Sequence, residues 1–173
     1  MIERGVSSFA SSASAPGIYR GKVESNLDPL QQGRLQVSVV GVPGASSSSW
    51  ARPCAPFAAS GKGGFVLPPS GANVWVMFEA GNPQDPVWMG GFWDAQSLPP
   101  ASPAVEEMKV FQSDALTVTL TDGPGPGMLE IKLSSGAKIA MGPSGVEIDN
   151  GQGGSIVLEG PKVSVNNGAL EVV

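Results

Sequence analysis

The chain has no histidine among its 173 residues. Imidazole acid–base catalysis, Ser-His-Asp and Cys-His nucleophile systems and His metal sites are therefore excluded. A single cysteine, Cys54, excludes an intrachain disulfide and a thiolate zinc cluster. Charged residues make up only 14%, against about 25% in an ordinary globular chain. Basic residues are scarcer still: Lys and Arg number 10 against 15 Asp and Glu, a net charge of -5. Duplex binding normally needs a basic face, so nucleic acid is not expected as a partner. No apolar run approaches the 18 residues of a membrane-spanning helix. The start, MIERGVSSFASSASAP, lacks the apolar core of a signal peptide.

What is abundant is glycine (24) and proline (16), nearly a quarter of the chain. Both disfavour helix interiors. With 41% hydrophobic residues the chain is too apolar for a disordered one. Short apolar runs between dense turn residues predict an all-β protein.

Residues 1–16 are small and polar without period, and read as a flexible N-terminal arm or a segment that orders against a neighbouring subunit. Residues 17–93 hold five or six strand-like runs. Gly17–Ser25 alternates, as does Arg34–Val42; Trp50–Pro56, Phe65–Leu67, Asn73–Glu79 and Val87–Trp93 follow, separated by turns rich in Gly, Pro, Asn and Asp. That number of strands in so short a span suits a small barrel. Residues 94–104 (DAQSLPPASPA) have linker composition. All four Trp precede them.

Residues 105–173 repeat. Leu129–Leu133, Ala137–Met141, Val146–Asp149, Ile156–Glu159, Val163–Val165 and Leu170–Val172 alternate, with glycine- or asparagine-rich corners between them. Strands this short enclose no core alone. A fixed short period of strand and turn marks a β-solenoid or a fibrous β-helix, and three chains could close the latter by each lining one side of a triangular prism. Ile131, Leu133, Ile139, Met141, Val146, Ile148, Ile156, Leu158, Val163, Val165 and Leu170 would then stack on the threefold axis. Glu130, Lys132, Lys138, Glu147, Asp149 and Glu159 would face water.

Several blocks carry a family resemblance. Gly21, Val23, Asn26, Asp28, Pro29, Gly33, Arg34, Leu35 and Val37 match the opening motif of the OB-fold domain of contractile-tail spike proteins, the phage baseplate assembly protein V and VgrG-like family. Trp50–Pro53, Gly63–Val76 and Phe78–Gly91 resemble later segments of the same domain, with Ala72 and Asn82 standing where the family usually has Asp. The C-terminal repeat resembles the family's triple-stranded β-helix. The resemblance implies an N-terminal OB-fold barrel (17–93), a linker (94–104) and an intertwined triple-stranded β-helix needle (105–173), assembled as a homotrimer. It implies a structural baseplate spike of a contractile injection machine, joining a hub protein to a needle that pierces a cell envelope. Such a protein is built in the producing cell's cytoplasm and ends in a virion or injection-particle baseplate. The short linker leaves no room for the lysozyme domain of some members, and a chain without His lacks their His-x-His iron-binding tip. The expectation is a minimal member with no cofactor, no metal and no catalytic residue.

Leu170, Val172 and Val173 would form a blunt apolar end for a PAAR-type tip protein. Asn26, Asp28, Arg34 and Arg52 are expected in barrel structure or hub contact. Trp50, Trp75, Trp88 and Trp93 are expected in packing rather than base stacking, Cys54 as a small packed residue, and Asp122, Asn150 and Asn167 in turns rather than around an axial ion. The alternative from another class is an OB-type or lectin-like ligand-binding module on a β stalk.

Overall fold

The structure is a computed structural model and describes residues 14–45, 49–123 and 127–172. These form two compact units that divide between Gln96 and Ser97. Apart from one 3-10 turn at Glu79–Gly81, the described regular structure is β, and no described helix is long and apolar enough to cross a membrane.

The first unit contains β1 (Tyr19–Ser25), β2 (Leu35–Val39), β3 (Trp50–Pro53), β4 (Ala58–Ala59), β5 (Lys62–Gly63), β6 (Asn73–Phe78) and β7 (Pro86–Gly91). Five of them close a barrel in the order β1-β2-β3-β7-β6. Only β3 and β7 run parallel; the other barrel pairs are antiparallel. Closure follows from the period-2 pattern. Val23, Leu35, Val37, Ala51, Val74, Val76, Phe78 and Trp88 alternate inward and are buried, joined by Ala15 and Val42. Fully burying one such large side chain contributes about 1.5–3 kcal/mol, so the barrel fills its own core. The arm is pinned where it enters: the Ala15 N–H donates to the Gly81 carbonyl at 2.8 Å.

Two expectations about strands fail in this unit. Phe65–Leu67 is not a strand, and Phe65 and Val66 are exposed. Pro68 and Pro69 follow it and cannot donate to a ladder. The small hairpin β4–β5 ends just before that stretch, at Gly63. The second strand also stops at Val39, leaving Val40 exposed. Residues 1–13 of the expected arm lie outside the described residues.

The second unit contains β8 (Met108–Gln112), β9 (Leu116–Thr121), β10 (Met128–Leu133), β11 (Lys138–Gly142), β12 (Gly145–Asp149), β13 (Ser155–Glu159), β14 (Lys162–Val165) and β15 (Leu170–Val172). They pair in chain order as one eight-stranded antiparallel sheet. At roughly 4.8 Å per strand, the ladder from β8 to β15 runs about 34 Å. Side chains satisfy the corners. The Asn150 carboxamide oxygen accepts the Gln152 and Gly154 N–H groups, and that of Asn166 accepts the Ser155 N–H. Gly145 opens β12 at φ +127°, with the Leu158 carbonyl oxygen 1.8 Å from where a Cβ would stand. No other residue fits there. Within one chain each strand bonds its sequence neighbour; the expected intertwining is a relation between chains.

Candidate functional site

In an antiparallel sheet, residues directly opposite each other share a face. The observed register therefore sorts the second unit's side chains. Phe111, Val118, Ile131, Ile139, Ile148, Ile156, Val165 and Leu170 form one cross-strand row. Leu120, Leu129, Met141, Val146, Leu158, Val163 and Val172 form a second row two residues away on the same face. Leu116 and Leu133 face each other beside them. All eleven residues expected on an axis thus lie on one face of one sheet. Of these, Leu133, Ile139, Met141, Ile148, Ile156 and Leu158 are each 40 to 43% exposed in the single chain, and Ile131, Val146, Val163 and Val165 are half-buried. Leu170 and Val172, expected at the tip, end the two rows on β15 and are 60% exposed; Val173 lies outside the described residues.

The opposite face is polar. Glu130, Ala140 and Glu147 form a row, as do Lys132, Lys138 and Asp149. Lys138 Nζ pairs with Glu147 Oε2 at 2.9 Å. That bond, against a smaller opposing effect of burial and with help from the Asp149 and Glu130 charges, raises the Lys138 pKa above the usual lysine value. One sheet thus presents a continuous apolar stripe on one side and water-compatible groups on the other. A stripe of this size exposed on a soluble protein marks an interface.

Phe111, Leu116, Val118, Leu120 and Leu129 belong to the same face and were missed in the sequence. The signal was present in β9, where Leu116-Thr117-Val118-Thr119-Leu120 alternates strictly. In β8 a lysine interrupts the apolar positions, and the pattern is weak.

In the barrel, the Asn26–Arg34 motif forms a clasp. The Asp28 carboxylate accepts the backbone N–H groups of Leu30, Gln32 and Arg34 and the Arg34 guanidinium, with Nη2 at 2.6 Å. Its side chain is 4% exposed. The guanidinium beside it holds the Asp28 carboxyl far below the usual carboxylate range; burial opposes this, and the three backbone donors reinforce it. Asp28 in turn raises the Arg34 pKa. The Asn26 carboxamide donates to the Pro68 carbonyl at 3.1 Å. Gly33, at φ +74°, offers its carbonyl to the buried Trp88 indole N–H at 3.1 Å. A Cβ there would meet the Phe65 ring at 3.0 Å. These partners tie the loop to the wall of the barrel, and they account for why Asn, Asp, Gly and Arg stand at these spacings.

Arg52 pairs with Glu79, both exposed. Trp50 lies under the Arg34 guanidinium and Trp75 against Phe92 and Arg20; Trp93 is exposed. Cys54, expected to pack, is exposed instead. It follows the end of β3, and its N–H is taken by the Trp88 carbonyl. Asn150 and Asn167 sit in turns, Asn167 at φ +54°. Asp122 differs: its carboxylate pairs with Lys109 Nζ. Exposed Phe57, Phe65 and Val66 rim a cavity of about 850 Å³ between the hairpin and the barrel wall.

Two family models match the chain. Residues 19–93 match the type VI secretion system/phage-baseplate injector OB domain. Residues 108–171 match the phage baseplate V C-terminal trimerisation domain. Together the two cover most of the chain, which belongs to the phage baseplate V family of spike components of contractile injection machines. No curated protein matches the chain. The first unit is thus the OB domain and the second a trimerisation domain. Both families are structural parts of a baseplate.

Proposed function

We propose that the chain is the central spike of its machine, with the barrel forming a collar on a hub protein and the C-terminal sheet forming a piercing needle. The single observation that carries this reading is the apolar face of the trimerisation domain. Three such faces turned inward would close a triangular prism with a dry core, the chains winding about a common axis. The polar faces with Lys138 and Glu147 would remain in water. Burial of one large apolar side chain contributes about 1.5–3 kcal/mol, and each chain brings two full rows.

The ladder direction suits the task. The hydrogen bonds between strands run along the needle, so an axial load during sheath contraction is shared over every rung. At the far end, Leu170 and Val172 would present an apolar triangle, and Val173 continues it in sequence. Such an end requires cover, which a PAAR-type tip protein would supply. Arg52 and Glu79, exposed on the barrel, are suited to a hub contact. Asn26, Asp28 and Arg34 act through the clasp and hold the barrel's shape. Assembly in the producing cell's cytoplasm and incorporation into a phage or related injection particle follow from this role.

The test is the mass of the purified full chain in solution by light scattering. A particle of about three times 17.6 kDa that persists in SDS supports the reading. A stable monomer overturns it.

A further inference from the structure

The apolar face carries one charged rung. Lys109 stands directly opposite Leu120 on β9, and so continues the row Leu120, Leu129, Met141, Val146, Leu158, Val163, Val172 at the β8 end of the sheet. Asp122 is two residues beyond Leu120 on the same face, and its carboxylate bonds Lys109 Nζ. Both side chains are more than half exposed in the single chain. The Asp122 backbone is fixed too, its N–H donating to the Glu107 carbonyl at 2.8 Å. Every other described position in that row is aliphatic.

We propose that Lys109 and Asp122 meet their symmetry copies in the trimer and form an interchain charged rung at the β8 end of its interior. This rests on the inward orientation of the apolar face given above. Aliphatic rungs about 4.8 Å apart are nearly interchangeable, so three faces can slide by a rung and still bury carbon against carbon. A charge displaced onto an aliphatic rung loses both water and partner. A polar position in an otherwise apolar seam therefore fixes register and partner choice. Three lysines and three aspartates meet opposite charges from neighbouring chains only when all chains are aligned.

The experiment uses full-length chains. Lys109→Glu brings six negative charges to that level, and Asp122→Lys brings six positive ones. Each variant alone is expected to lose the trimer at concentrations where the unaltered chain is fully trimeric. Two differently tagged variants, co-expressed, meet in 2:1 trimers whose rung carries a net charge of two rather than six, and partial recovery of trimers that contain both chains is expected. The single-chain double variant K109E/D122K, with the pair reversed, is expected to trimerise, which shows that the substitutions leave the sheet able to fold. If each single variant trimerises like the unaltered chain, the proposal is overturned. If only the double variant recovers trimers and mixing does not, the pair is confined to one chain, and the proposal is again overturned. Native mass of the unaltered chain is read in parallel. A monomer there overturns the inward-facing assembly itself, whereas an intact trimer beside indifferent variants overturns the charged rung alone.

Discussion

The two units use the same period-2 alternation for opposite ends. In the barrel, strands curl until their apolar faces meet, and Leu35, Ala51, Val74 and Val76 reach 0% exposure within one chain. In the trimerisation domain, eight strands with an equally regular pattern stay in one sheet, and Ile139 and Ile148 remain 43% exposed. The difference lies in the connections. The barrel's strands are linked by longer loops, one of which carries the chain from β3 past β7 to β6, and the parallel β3–β7 pair closes the ring. The sheet's strands are linked by tight corners such as Gly142–Gly145 and Glu159–Lys162, which return each strand beside the last. Closure inside the chain gives a domain complete in itself; a meander leaves a face that only other copies can cover.

The sharpest way to break this comparison is to place a charge on the open face. Ile148→Asp puts three carboxylates into a dry interior, where uncompensated charge costs at least several kcal/mol. Trimer is expected to vanish in light scattering. The barrel should remain folded, and tryptophan fluorescence reports it separately because all four Trp lie before residue 94. Loss of both signals together would show that the barrel depends on the sheet. The complementary change is Leu35→Ala. A fully buried leucine truncated to alanine costs about 2–5 kcal/mol. The fluorescence transition should move to lower temperature while native mass at low temperature stays unchanged.

Much of this contrast was legible in the chain. The eleven positions expected on an axis were assigned to one face from alternation alone, because period 2 survives whatever the strand pairs with. β8 and β9 were missed at the boundary for different reasons: Lys109 interrupts the apolar positions of β8, whereas β9 alternates strictly with its threonines and was readable. The failure at Phe65–Leu67 has the reverse cause: three apolar residues look like a strand, but two following prolines deny the ladder its donors. The role of Asp28 was only half legible. An Asn-x-Asp-Pro turn is local and visible, whereas its guanidinium partner six residues on, and the Asn26 bond to Pro68, need the folded loop. Lys109 with Asp122 was invisible for the same reason, since 13 residues separate them and only the β8–β9 register brings them to one face.

Acid separates the two units at smaller scale. The folded-state pKa of Asp28 is lowered by Arg34. Its contribution is therefore complete above the unfolded carboxylate value of about 3.9 and fades as pH falls through the lower folded value. The barrel should lose stability progressively below about pH 4, read as a falling fluorescence midpoint. In Asp28→Asn the midpoint at neutral pH should be lower and its acid dependence flatter. An unchanged acid slope in that variant would remove Asp28 as the source.

The smallest effect is expected at Arg52. Its pair with Glu79 is exposed on both sides, at 55% and 60% of the side chains, and exposed ion pairs contribute about 0–1 kcal/mol. Arg52→Ala should therefore shift the barrel's thermal midpoint by little and leave the trimer intact. This near-neutrality makes the position informative. Asp28 and Arg34 cannot be altered without loosening the loop that frames the barrel, so any defect they cause in the assembled machine confounds shape with contact. A variant at Arg52 that is stable and trimeric yet fails to co-purify with the baseplate hub would place the hub contact on that face. Normal co-purification would leave the exposed pair with a surface role only and move the contact elsewhere on the barrel.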